Sequence, residues 1–189
     1  MAKIIVIEYV TLDGIVEDPD GRGGTARGGW AFRFGPERLA GDKFDLGPIL
    51  QTGAVLFGRR TWEHFSRLWP QRLDAFSTAM NTLPKYVVTR SGPDLTVWAN
   101  SRRLTGEVVE GARRLAATRD VVVIGSLGVV RDLASAGAVD EYRLLAVPTF
   151  LGEGERLFTG TVDLDLVRVA SDGALTLSVY RPRPAATPG

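Results

Sequence analysis

The chain contains no cysteine. Disulfides, zinc–thiolate centres, iron–sulfur clusters and thiolate nucleophiles are thereby excluded. It contains one histidine, His64, so a zinc hydrolase or a serine–histidine triad would have to be built around that single ring. No apolar run approaches the roughly 20 residues of a membrane span. Neither sign of charge dominates: 23 basic residues face 22 acidic ones, for a formal net charge of +1. That balance argues against a nucleic-acid binder, which needs a concentrated basic surface. The opening MAKIIVIEYV has one lysine, a short apolar run and no small-residue cleavage site. It reads as a first strand and not as a signal peptide. The cytoplasm is the expected compartment. Hydride transfer, carboxylate chemistry and plain binding remain as classes of function.

What is present is the composition of one globular domain. The 189 residues are enough to bury a core, and 44% are apolar. Lys3–Thr11 is rich in β-branched residues and reads as a buried strand closed by a turn at Leu12-Asp13-Gly14. Residues 17–30 are too rich in glycine and charge for a core element and read as a long loop. Pro36–Leu50 reads as a helix with Leu39, Lys43, Leu46 and Leu50 on one face. Then come a strand at Ala54–Phe57, a helix from Arg59–Thr61 and a short helix at Asp74–Asn81. Further strands are read at Lys85–Thr89 and Thr96–Ala99. Val108, Ala112, Leu115 and Ala116 fall at helical spacing. Val121–Ile124 is a strand, and the helix after it ends at Gly137, where a C′ glycine belongs. Glu141–Val147 is a strand, and Leu164–Ala170 and Ala174–Arg181 form an antiparallel hairpin around Ser171-Asp172-Gly173. Strands alternating with helices indicate an α/β fold, a mostly parallel sheet covered on both faces. Residues 1–182 form one domain and 183–189 a disordered tail.

Three strand ends carry chemistry. VVVIGSLGVV, at 121–130, is a buried strand that stops at glycine and opens a helix. In such sheets ligands bind beyond the carboxyl ends of the strands. The free N–H groups of a helix start attract anions, and glycine lets a ligand approach the backbone. AVLFGRRTWEHF, at 54–65, repeats the layout and adds two arginines and a threonine. KYVVTRS, at 85–91, ends in a hydroxyl and an arginine. Each alone is also a plain turn or a solvated arginine. Together they favour a dinucleotide, and the arginines favour the 2′-phosphate of NADPH over NADH.

These stretches, with TLDG at 11–14, LFGRRTWE at 56–63, MNTLPKYVVTRS at 80–91, VIGSLGVVRDL at 123–133 and AVDEYRLLAVPTFLGEGERLF at 138–158, resemble the dihydrofolate-reductase-like family. The resemblance is strongest to the branch of the C-terminal reductase domain of the riboflavin-biosynthesis deaminase–reductase, and it spans about residues 3 to 181. It implies a sheet of about eight strands with a C-terminal antiparallel hairpin. It also implies NADPH as cofactor and hydride transfer to a pterin or a ribosylaminopyrimidine. On this resemblance Gly58, Arg59, Arg60 and Thr61 would meet the pyrophosphate and 2′-phosphate, and Thr89 and Arg90 the adenosine phosphate. Gly125, Ser126, Leu127, Gly128 and Val129 would line the pyrophosphate and nicotinamide ribose, with Val10 and Ile124 near the nicotinamide ring. Thr11, Asp13, Gly14 and Pro148 would edge the substrate side, with Trp30 and the loop before it as a lid.

Two departures from the family stand out. Many relatives have two glycines where this chain has Gly125-Ser126, and the zinc deaminase half is absent. The proton for reduction would come from water, Asp42 or Asp13, although Asp13 is equally a turn-former. Asp42 and Asp45 are both candidates for the pterin-binding carboxylate. Arg22 and Arg27 would either clamp a substrate phosphate or keep the loop soluble. His64 reads as a partly exposed surface residue, and Trp62, Trp69 and Trp98 as core bulk. The expected partners are a small-molecule substrate and a second copy of the chain, with no metal, nucleic acid or membrane. The alternatives are a pterin or dihydrofolate reductase, and a non-catalytic nucleotide- or drug-binding protein on the same fold.

Overall fold

The structure is a computed structural model that describes residues 2–183. Its centre is one eight-stranded sheet in the order β4-β3-β2-β5-β1-β6-β8-β7. The strands are β1 (Ile4–Thr11), β2 (Ala54–Gly58), β3 (Lys85–Val88), β4 (Ser101–Arg103), β5 (Val121–Ile124), β6 (Glu141–Val147), β7 (Leu164–Asp172) and β8 (Leu175–Pro182). The first six pair in parallel, whereas β8 runs antiparallel to both β6 and β7. The helices are α1 (Ile49–Thr52, a single turn), α2 (Arg59–Leu68), α3 (Ala75–Thr82), α4 (Val108–Ala116) and α5 (Leu127–Ser135).

β1, β2 and β5 are central strands buried on both faces, which is why they read as unbroken apolar runs and not as alternating ones. Alternate residues of β1 feed two cores. Ile5 and Ile7 join Phe57, Trp69 and Trp98 on one face, while Ile4 and Val6 join Val121, Val123 and Leu133 on the other. The aromatic core is tightly knit. Phe65 stacks on Trp69 with centroids 4.2 Å apart, and Trp98 meets Trp69 edge-on at 5.5 Å. Each fully buried indole N–H has an acceptor. That of Trp62 donates to Ser101 Oγ, that of Trp98 to Asn81 Oδ1, and that of Trp30 to the Glu17 carbonyl.

The expected helices at 59, 108 and 127 and the C-terminal hairpin are present. Gly137 sits at φ 58°, its N–H donating to the Ala134 carbonyl, as a C′ glycine should. Two expectations fail. Pro36–Leu50 is not a helix: it forms a short 3₁₀ turn at Pro36–Leu39 and then irregular backbone up to α1. Gly41 and Gly47 both take positive φ, and the Asp42 carboxylate bonds the N–H groups of Leu46 and Gly47, closing a turn that competes with a helix. The second failure is Thr96–Ala99. Asp94 caps a 3₁₀ turn at Leu95–Val97 and the edge strand β4 begins only at Ser101. The tail expected at 183–189 lies, from residue 184 on, outside the described residues. Arg183 itself is tied down, its guanidinium on Asp165 and its N–H on the Asp163 carbonyl.

Candidate functional site

The site begins with an asymmetry along β1. On one side β1 stays paired with β6 as far as Thr11↔Val147; on the other it pairs with β5 only as far as Ile7↔Ile124. There β5 leaves the sheet, because Gly125 (φ 57°) and Ser126 (φ 61°) both turn left-handed. The second half of β1 therefore has an open flank. Into this gap opens a cavity of about 1100 Å³, bounded by the carboxyl ends of β1, β2, β3 and β5.

Two helices start at its edge. α2 follows β2 directly with Gly58 as N-cap, and α5 follows β5 with Ser126 as N-cap; neither has a side-chain cap and neither has an acidic residue in its first turn. Their free N–H groups and dipoles favour an anion. The two starts are joined by one bond, from the Gly58 N–H to Ser126 Oγ at 2.8 Å. That bond explains the serine in place of a second glycine: Ser126 takes a strained conformation and returns a tie between neighbouring strand ends. Gly125 is a glycine for a different reason. At its φ an L side chain is strained, and a Cβ would stand 3.2 Å from the Thr61 methyl.

The strand order places the third end alongside, since β3 neighbours β2. Thr89 Oγ1 donates to the Ser91 carbonyl, holding that turn. Arg60 and Arg90 line the cavity and have no ion-pair partner among the described residues, whereas Arg59 pairs with Glu63 at 2.9 Å. Unpaired arginines beside two uncapped helix starts are a donor set suited to the phosphates of a dinucleotide. All the residues expected to hold the cofactor line this cavity except Val10, which packs instead against the second core.

The residues expected to act on the substrate are elsewhere. Thr11, Asp13, Gly14, Trp30 and Pro148 are not part of the cavity wall. Asp13 accepts from Thr11 Oγ1 at 2.5 Å and from the Gly152 N–H at 2.7 Å. The threonine hydroxyl and then the backbone N–H groups hold its pKa down at about 2. It clamps the 151–152 loop and is a poor proton donor. Gly14, at φ 81°, completes the turn, its N–H donating to the Thr11 carbonyl. Trp30 is fully buried in the core, so it is no lid. Pro148 is exposed after β6. Asp42 serves its own turn, and Asp45 pairs with Arg168 of β7. Neither aspartate reaches the cavity.

The loop at 17–30 does border the cavity, through Glu17, Asp18, Pro19, Asp20, Arg22 and Gly23. Its organiser is Asp18, whose carboxylate takes the N–H groups of Gly23 and Thr25. Its tether is Asp20, bonded to His64 Nε2 on α2 at 2.8 Å. His64 is thus a loop anchor in the cavity wall. Of the two loop arginines, Arg22 faces the cavity, while Arg27 turns to the Leu151 carbonyl and Glu153.

Two groups here went unnoticed in the sequence. Glu8, on β1 in the open flank, is buried, and burial raises its pKa to about 8, against the lowering pull of the Gly125 N–H. Glu8 Oε1 and Arg131 Nε are buried without a hydrogen-bond partner among the described residues, and both residues line this one cavity. Buried polar groups are nearly always satisfied, so two orphans beside one cavity single it out as a candidate ligand site. The signal for Glu8 was in view: it is a lone acid within the apolar run KIIVIEYVT.

Comparison with known proteins agrees with this architecture. The RibD C-terminal domain family matches residues 2–177, and the chain belongs to that family. YyaP of Bacillus subtilis (strain 168) is 24% identical over 163 residues, covering 82% of this chain and 80% of its own. Among solved structures, a provisionally named riboflavin biosynthesis protein of Shewanella sp. PV-4 superposes with a TM-score of 0.72 at 17% identity, over 96% of this chain and 99% of that one. A pyrimidine reductase-like protein of Corynebacterium diphtheriae gives 0.60 at 13% identity, over 96% and 92%. The diaminohydroxyphosphoribosylaminopyrimidine deaminase/5-amino-6-(5-phosphoribosylamino)uracil reductase of Thermotoga maritima gives 0.57 at 18%. The chain covers 57% of that bifunctional protein's length. At these identities the likeness is one of fold.

Proposed function

We propose that the protein is an NADPH-dependent reductase that transfers hydride to a small heterocyclic or ribosylaminopyrimidine substrate, of the riboflavin-biosynthesis type. The observation that carries this reading is the convergence of two uncapped helix starts and the unpaired Arg60 and Arg90 on one cavity. Thr61, Gly125 and the first turn of α5 would hold the pyrophosphate, and Arg60 and Arg90 the 2′-phosphate. NADPH supplies the hydride; the protein supplies position and a site shielded from water. Ile7, Tyr9, Phe44 and Ile124 make an apolar wall on which a flat heterocycle can lie. The pterin reading relies on a carboxylate from residues 42–45, and both aspartates there serve turns or surface pairs. We further propose that the protein acts in the cytoplasm and as a homodimer. Leu166, Val167 and Val169 are exposed on the edge strand β7, which offers an apolar strip for a second copy.

The test is a turnover assay that follows loss of NADPH absorbance with ribosylaminopyrimidine and dihydropterin substrates. The reading predicts turnover with the ribosylaminopyrimidine class. Tight NADPH binding with no turnover on either class would instead favour a nucleotide-binding protein without catalysis.

A further inference from the structure

Glu8 stands where β5 has left β1, one residue beyond the last pair, Ile7↔Ile124. Glu8 lines the cavity, its carboxyl within reach of the Gly125 N–H, in the crevice where an α/β sheet takes its ligand. A structural glutamate at such depth would have a cation or a set of donors. Glu8 has no ion pair, and its Oε1 has no partner, among the described residues. Among the described residues only the Gly125 N–H acts on this carboxyl.

We propose that Glu8 is the catalytic acid of the reduction: as hydride reaches the carbon of the substrate's C=N or C=O bond, the Glu8 carboxyl gives its proton to the nitrogen or oxygen. This rests on the reductase reading. The bond's π electrons move to the heteroatom, the substrate is reduced, and the dihydronicotinamide is oxidised. Glu8 is left as a carboxylate and regains its proton from solvent when the products leave. Burial keeps the acid protonated at neutral pH, and a pKa of about 8 lets it release that proton near neutrality.

The other titratable groups on this cavity are less suited. Among the acids, Asp18 and Asp20 are engaged in the loop, Glu17 lies by Gly154, Glu155 faces Arg131, and Asp132 is exposed on α5. Burial pushes the Tyr9 phenol up to about 12, too high to yield a proton at neutral pH. The cations facing the space are Arg22, Arg59, Arg60, Arg90 and Arg131, with His64 held by Asp20. None of them sets the pKa of Glu8, which follows from burial and the Gly125 N–H.

This role can be tested without substrate. The oxidised nicotinamide is a cation, and the acid that has given up its proton is an anion beside it. Binding NADP⁺ alone should recreate that pair and expel the proton from Glu8, whereas NADPH, with the same phosphates and a neutral ring, should not. Calorimetric titration at pH 7.0 in buffers of different ionisation enthalpy counts the protons released. The expected result is that NADP⁺ releases on the order of half a proton more than NADPH does, by linkage between charge and proton binding. Glu8→Gln, a neutral isostere, should bind both cofactors and abolish the difference. The infrared band of a protonated carboxyl should likewise be present in the free wild-type protein, lost with NADP⁺ and retained with NADPH. Equal proton release with both cofactors, or a difference that survives Glu8→Gln, would overturn the assignment while leaving the reductase reading intact. Failure of both cofactors to bind the wild type would remove the reductase reading itself, and the catalytic acid with it.

Discussion

At the residue scale, the protein's least conventional choice is an acid in the middle of its sheet. Glu8 titrates near 4.5 when unfolded and at about 8 when folded. Between those values the folded state binds the extra proton, so stability falls as pH rises from about 4.5 to about 8. Every tenfold gain in proton affinity on folding corresponds to about 1.4 kcal/mol, so this one group accounts for a loss of several kcal/mol across that window. Glu8→Gln should therefore melt near wild type at pH 5 and well above it at pH 8.5, as measured by thermal denaturation at the two pH values. Ser126 is a second conflict between residue and backbone. Ser126→Ala keeps the left-handed strain and deprives the Gly58 N–H of its partner, and should cost about 1 kcal/mol in chemical denaturation. Ser126→Gly loses the same bond but relieves the strain, and should come out near neutral. Ser126 stood out in the sequence as a departure from paired glycines, whereas Glu8 went unnoticed within its apolar run. Only the register of β1 and the φ of 61° show what each residue does.

At the scale of elements, the sequence was most readable where period and burial agree. VVVI and AVLF read as buried strands, and the glycines after them as turns into helices. It was least readable where a polar side chain organises the backbone locally. Asp42 closing its turn and Asp94 capping its 3₁₀ turn defeated a helix and a strand that apolar spacing alone suggested. Asp13 belongs to the same class. Read as an edge of the substrate site, it is instead the clamp between the β1 turn and the 151–152 loop. Asp13→Ala should lower the melting temperature and speed hydrogen exchange at Leu151 and Gly152, with the affinity for NADPH unchanged. The 17–30 loop behaves differently, because Asp20 fastens it across the cavity to His64 on α2. His64→Ala should release that tether and increase the dissociation rate of NADPH several-fold in stopped-flow measurements, as loosened closing loops do.

At the scale of the whole molecule, the sheet order does what no single motif could. Residues 8, 58–61, 89–91 and 124–129 are far apart in the chain and meet because β3, β2, β5 and β1 are consecutive neighbours. The fold, and the gathering of these strand ends on one cavity, were therefore legible from strand ends and family resemblance together. The substrate side was not. Thr11, Asp13 and Gly14 sit on the far turn of β1, Trp30 in the core and Pro148 after β6, and local spacing cannot say which flank of a strand is open. The reductase reading makes this shared crevice a cradle for NADPH. Titrating the purified protein with NADPH and NADH, by cofactor fluorescence and by the rise in melting temperature, tests it directly. The account predicts micromolar affinity for NADPH and at least roughly tenfold weaker binding of NADH, about 1.4 kcal/mol for the missing 2′-phosphate. Arg60→Ala should erase most of that preference, and Gly125→Val should abolish binding of both. Equal affinity for the two cofactors, or binding untouched by Gly125→Val, would contradict it.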